Sequence, residues 1–217
     1  MFFLVFGASA AGKTFALGEL CERVTDLAMH DFDEIGVPPD ADTAWRHRAD
    51  EEWVRRALDY QAQGTDLLLT GQTPLGELLA APSAPRLNAI SACLIDCDDA
   101  TRVKRLQARG AGVARPNGGR SGEQLAWAAW MRSHAADPTW ETDVIHDRTT
   151  DGEMQWSRWS SWRADDPRWR VHVIDASALP VDSVAAALAN WIEEERALLR
   201  SGVHPLTGAV VDDSWRR

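Results

Sequence analysis

Lysine is nearly missing from this chain: its 23 basic residues include only Lys13 and Lys104, and the rest are arginine. Positive charge is scarce altogether, with 33 acidic side chains and a formal net charge of −10. A surface built to hold nucleic acid needs a basic face, so this balance argues against a nucleic-acid partner. Cysteine is sparse as well. Cys21, Cys93 and Cys97 are odd in number, and Cys93 and Cys97 have no second ligand pair, which argues against both a disulfide framework and a zinc site. Free thiols in a reducing cytosol are the expectation. The apolar run Met1–Phe6 has no basic segment before it and no cleavage site after it, and is too short for a signal peptide or a membrane span. The expected protein is cytoplasmic, with no membrane partner. Its 217 residues, 45% hydrophobic, suffice for one α/β domain with embellishments.

The first of the two lysines stands in the most informative stretch, Gly7-Ala8-Ser9-Ala10-Ala11-Gly12-Lys13-Thr14. An apolar strand precedes it and a helical pattern follows, which is the strand–loop–helix setting of the G-x-x-x-x-G-K-S/T phosphate-binding loop. Gly7 and Gly12 permit backbone angles closed to other residues, so successive amides can turn inward as an anion nest. The helix beginning near Lys13 adds its positive dipole end. Lys13 can reach β- and γ-phosphates, and the Thr14 hydroxyl can sit on Mg²⁺. A compact, flexible ammonium suits that task, in a chain that otherwise prefers arginine.

Strands and helices alternate after this loop. Leu27–Phe32 reads as a strand ending in Asp31-Phe32-Asp33-Glu34, followed by a helix over 42–63 capped by Gly64. Leu67–Thr70 is a short apolar strand, followed by the Gly71-Gln72-Thr73-Pro74 turn and a helix over 75–80. Asn88–Asp96 is the next strand, and Ala100–Arg109 a helix with a basic stripe of Arg102, Arg105 and Arg109. Residues 111–170 are irregular, with helical pieces expected over 123–134 and 152–162, the latter from the spacing of Trp156, Trp159 and Trp162. The many tryptophans of this region are expected to pack it rather than to stack on a ligand. His134 reads as a surface histidine. Val171–Asp175 is the last strand and 181–199 the last helix; the tail from Ser201 looks loosely held. This alternation predicts a three-layer α/β fold, a parallel sheet with helices on both faces, whose ligands bind beyond the carboxyl ends of the strands.

On the phosphate-binding loop, the Asp31 and Asp33 carboxylates, the Gly71-Gln72 turn, the 99–110 helix and the final strand and helix, the chain resembles the small P-loop kinases, the group of adenylate, shikimate and gluconate kinases. The resemblance implies a P-loop NTPase fold with a five-stranded sheet of order 2-3-1-4-5 and a helical lid. It implies a kinase-like domain over 1–200, with its lid at about 111–170, and a tail at 201–217. It also implies phosphoryl transfer from a nucleoside triphosphate, with ATP and Mg²⁺ as cofactors and a small-molecule acceptor as partner. Asp31 would organise Mg²⁺ together with Thr14, and Asp33 would hold the acceptor hydroxyl as its base. Gly71 would let the acceptor approach the backbone, Gln72 would hydrogen-bond it, and Arg46 hints that it is anionic. Among lid arginines Arg109 is the first candidate to clamp phosphates, with Arg115 and Arg132 next. Glu34 is a possible substitute for either aspartate.

The chain departs from those kinases in having no R-x-x-x-R pair that clearly marks the lid, no aspartate closing the third strand, where Leu69 is followed by Thr70, and a long tryptophan-rich lid. The absence of an N/T-K-x-D guanine-reading stretch tilts the nucleotide towards ATP. Two functional expectations stand: a kinase moving a phosphoryl group to a hydroxyl or phosphate of a nucleoside, sugar or antibiotic-like metabolite, or a nucleotide-binding regulatory module with no such acceptor.

Overall fold

A computed structural model describes residues 1–109, 119–150 and 152–207, with side chains from residue 122 onward in the second span. Five parallel strands, β1 (Phe2–Phe6), β2 (Leu27–Asp31), β3 (Asp66–Gly71), β4 (Ile90–Asp96) and β5 (Val171–Asp175), form one sheet in the order β2-β3-β1-β4-β5. The helices are α1 (Lys13–Leu20), α2 (Thr43–Ala62), α3 (Leu75–Ala80), α4 (Asp99–Ala108), α5 (Gly119–Ala136) and α6 (Val181–Arg200). The fold class and sheet order are those expected.

Alternation along the central strands splits the core in two. Phe2, Leu4 and Phe6 of β1 face one side with Leu67, Leu69, Ile90 and Leu94, packed under α2 and α3. Phe3 and Val5 face the other with Leu68, Cys93 and Ile95, against α1 and α6. Phe2, Phe3 and Leu4 are wholly buried, and each such side chain contributes about 1.5–3 kcal/mol over its exposed state. This two-sided burial explains why the central strands read as unbroken apolar runs.

Register then places the chemistry. Phe6 pairs with Gly71 and Asp31 with Thr70, so β1, β3 and β2 end at one level. The loop after β1, the Gly71–Thr73 turn and Asp31–Asp33 therefore open onto the same crevice, beside the topological switch point at β1.

Several local expectations are corrected. β2 stops at Asp31, because the Asp31 carboxylate caps a 3₁₀ turn over Phe32–Ile35 and Glu34 reaches back to the Asp31 amide. The 152–162 piece is not an α-helix: its regular part is a 3₁₀ turn, Trp156–Arg158, where spacing by three also aligns side chains. His134 is buried, stacked on Trp130 at 4.6 Å. Burial lowers its pKa to about 4. The start of the tail is also tied down, with His204 buried and its Nε2 2.7 Å from the Ser91 hydroxyl. The expectation of tryptophan packing agrees with the structure. Trp159 and Trp169 are buried and donate their indole N–H to Gly76 O at 2.8 Å and Ala135 O at 3.1 Å. Among the described residues no helix is long and apolar enough to cross a membrane.

Candidate active site

The loop between β1 and α1 has the backbone its glycines foretell. Gly7 sits at φ +154°, and a Cβ there would lie 2.2 Å from the Ile95 carbonyl oxygen, so no side chain fits between β1 and β4. Gly12 is left-handed at φ 114° and precedes the first turn of α1. Ala10, at φ 64°, takes the same region without the freedom of glycine, a local strain of the sort that collects at ligand-binding loops. The Lys13 ammonium folds back onto the loop, donating to Gly7 O at 2.5 Å and more weakly to Ala8 O at 3.4 Å. Burial, and then the charges of Arg102 and Arg109, push its pKa down to about 8 against the opposing pull of Asp31 and Asp33.

Two arginines of α4 hold the loop from behind. Arg102 is wholly buried and donates to Ser9 O at 2.6 Å, and it also pairs with Asp96 at the end of β4. Arg105 donates to Ala11 O at 3.0 Å, to Ala10 O at 3.3 Å and, across the loop after β5, to Ala176 O at 2.7 Å. Drawing three successive carbonyls towards α4 is what a loop requires if its amides are to be left for an anion. Reading the sequence identified these arginines only as a basic stripe. Their spacing, with Arg105 and Arg109 four apart just before the lid, was the available signal.

A cleft of about 490 Å³ lies over the loop. Residues Ser9 to Thr14 form its floor on one side, and Asp31, Asp33, Arg46, Gly71, Gln72 and Arg109 line the rest. Of the residues singled out from the sequence, the crevice gathers all but five: Gly7, Ala8, Arg132 and Glu34 do not line it, and Arg115 is outside the described residues. Arg132 is paired with Asp96 and with Asp99 at 3.0 Å and does not line the cleft. Glu34 is engaged with the Asp31 amide and with His30 Nδ1 at 2.7 Å, also away from it.

The two aspartates have different surroundings. Asp31 accepts from the Asp33 amide at 3.0 Å and from the Thr70 hydroxyl at 3.1 Å, so Thr70 orients the carboxylate from β3. Asp33 has its pKa raised by burial and by the neighbouring Asp31 charge, with Lys13 opposing. A carboxylate raised in this way is a better proton acceptor than a solvated one. Gly71 does line the cleft, but the position of its missing Cβ is occupied by Phe32, whose Cβ would lie 2.8 Å away. The glycine therefore admits Phe32, and Phe32 in turn forms part of the cleft wall.

Arg46 is not the free cation the sequence invited. Its Nε lies 2.9 Å from both oxygens of Glu77 and its Nη2 lies 2.6 Å from one of them. Glu77 is wholly buried; burial alone would raise its pKa, but Arg46 and His47 outweigh that and hold it low. Behind it Asp50 is equally buried and its pKa is raised well above the usual carboxylate range by burial and by the Glu77 charge. The Thr73 hydroxyl lies 2.9 Å from Asp50 Oδ1 and 3.2 Å from Glu77 Oε2, while Asp50 Oδ2 has no hydrogen-bond partner among the described residues. Trp45 and Trp127 complete this wall, with Trp127 stacked on Trp130 at 4.9 Å. Sequence reasoning missed Glu77, although a glutamate inside the apolar Leu75–Ala80 helix was a visible anomaly.

On the other flank of the loop an apolar recess of about 390 Å³ runs between Phe15, Ala108, Leu179, Val181 and the guanidinium stems of Arg105 and Arg109. Phe15 is 62% exposed there, with the Arg109 guanidinium 5.8 Å above its ring.

No protein-family model matches the chain, and no curated protein matches it in sequence. Solved structures do share its fold. A sugar kinase from Janibacter sp. HTCC2649 superimposes with a TM-score of 0.52 at 15% identity, over 91% of this chain and 96% of that one. Thymidylate kinase from Candida albicans gives 0.46 at 12% identity, over 90% and 92%. At these identities the likeness is one of architecture: a parallel five-stranded α/β fold of the kind found in kinases.

Proposed function

We propose that the protein is a phosphotransferase that moves the γ-phosphoryl group of ATP to a hydroxyl or phosphate of a small metabolite. One observation carries the reading: Lys13 and Thr14 of the phosphate-binding loop share a single cleft with two carboxylates, Asp31 and Asp33. Phosphoryl transfer asks for positioning and charge neutralisation more than for covalent chemistry, and this set supplies both. The loop amides and Lys13 would cradle the β- and γ-phosphates. The apolar recess at Phe15 and Arg109 would take the base, which gives that exposed apolar surface a purpose. Thr14 and Asp31 offer hard oxygen donors of the kind Mg²⁺ prefers, and this ion takes one or two carboxylates alongside substrate phosphates. Bound Mg²⁺ would neutralise phosphate charge. Asp33 would orient the acceptor and take its proton.

The test is ADP formation from ATP and Mg²⁺ with pooled nucleosides, nucleotides, sugars and aminoglycosides. A pool should stimulate the wild-type protein and leave Lys13→Ala at the no-acceptor rate. Asp33→Asn should lower kcat by about 10²–10⁴-fold with little change in the KM for ATP. Bound ATP without stimulation by any pool would favour the regulatory-module reading instead.

A further inference from the structure

Three cations line the cleft among the described residues, and their positions divide its two ends. Lys13 belongs to the phosphate-binding loop. Arg109 stands at the flank where Phe15 and the apolar recess lie. That leaves Arg46, which lines the cleft together with Gln72 and Thr73 where an acceptor would sit, while the charge of Lys13 acts on Asp31 and Asp33. Its guanidinium already faces both oxygens of the wholly buried Glu77. Among the described residues, an anionic acceptor at this end would meet the carboxylates of Asp31 and Asp33 and, apart from the Lys13 that the triphosphate would engage, one cation whose charge Glu77 already balances. Drawing Arg46 away to serve a ligand would leave the wholly buried Glu77 with only the Thr73 hydroxyl and His47, and removing the main partner of a buried carboxylate is strongly disfavoured. The remaining wall is aromatic: Phe32, Trp45 and Trp127, with Trp127 parallel to Trp130 at an interplanar angle of 2° and the Arg46 guanidinium 5.9 Å from the centre of the Trp127 ring. Aromatic faces beside carboxylates attract flat apolar rings and cations.

We propose that the acceptor is an uncharged or cationic hydroxyl compound with a flat or apolar face, and that phosphorylated and carboxylated compounds are rejected. This rests on the kinase reading and narrows it. Arg46 acts as a fixed part of the wall, positioned by Glu77, and not as an anion receptor. In the transfer the acceptor oxygen forms the new bond to the γ-phosphorus. The bond to the bridging oxygen breaks with its electron pair going to ADP, and the hydroxyl proton passes to the Asp33 carboxylate.

The experiment uses the full chain and has two arms. The first measures Mg²⁺·ATP binding by calorimetry with no acceptor present, and tests the kinase reading alone. The second measures ADP release with matched probes: thymidine against thymidine monophosphate, glucosamine against glucosamine 6-phosphate, and kanamycin against gluconate. The expected result is stimulation by at least one uncharged or cationic member, with kcat/KM at least tenfold above its anionic counterpart. Glu77→Gln, which leaves Arg46 unbalanced, should narrow that ratio; should this variant fail to fold, the wild-type ratio decides alone. A preference for an anionic member, or no stimulation by any uncharged or cationic one, overturns the proposal even where ATP binds. Absence of ATP binding in the first arm overturns the kinase reading itself.

Discussion

At the residue scale, Lys13 holds its charge in an unfavourable place. Burial puts its pKa near 8, below the ordinary 10.5 of a lysine. Between those values the unfolded chain binds the proton and the folded one does not, so this group makes stability rise with pH across that window. Triphosphate reverses the preference, since the charged ammonium is then paired. Binding of Mg²⁺·ATP should therefore take up a proton at pH values above about 8, and affinity should fall by up to about tenfold per pH unit. Calorimetry in two buffers of different ionisation enthalpy reads the proton directly. Affinity that stays flat from pH 7 to about 9.5 would refute this account of Lys13. The residues of the loop itself were legible because their order is local: glycine, glycine, lysine and threonine within eight positions. The pairing of Arg46 with Glu77 was not, because those residues are 31 positions apart and meet only once α2 and α3 pack together.

At the scale of elements, glycines with different surroundings separate requirement from accident. Gly7→Ala would drive a Cβ into the Ile95 carbonyl at an already unfavourable φ, and should destabilise the fold by about 2 kcal/mol or more. Gly18→Ala, in the exposed middle of α1 with nothing within 4 Å of the new Cβ, should stabilise it by about 0.5–1 kcal/mol. Opposite shifts in thermal midpoint are expected, and a shift of the same sign in both would contradict the argument. The tryptophan-rich stretch makes a similar contrast. Trp159→Phe removes the hydrogen bond to Gly76 and part of a buried ring, at a cost of about 2 kcal/mol. Trp140→Phe, at a ring 44% exposed, should change stability by less than about 0.5 kcal/mol in chemical denaturation. Here the sequence was only half legible. Buried tryptophans could be expected from composition, but spacing by three does not tell an α-helix from a run of 3₁₀ turns, and only the contacts with α3 and α5 decide which forms.

At the scale of the whole molecule, a parallel sheet with helices on both faces followed from alternation along the entire chain, whereas the strand order was legible only through the resemblance to the small P-loop kinases. The level ends of β1, β2 and β3 then bring the phosphate-binding loop, a carboxylate pair and an aromatic wall into one crevice. The net charge of −10 would repel a polyphosphate at long range, so the local field of the loop, α1 and Lys13 must prevail. That is the account's central claim, and calorimetric titration of Mg²⁺·ATP into the wild-type protein and into Lys13→Met at pH 7 tests it most directly. A charge-assisted contact of about 1.5–3 kcal/mol predicts one site in the wild-type protein and at least about tenfold weaker binding in the variant, with the fold unchanged by circular dichroism. Equal affinities in the two proteins, or no binding to either, would contradict it.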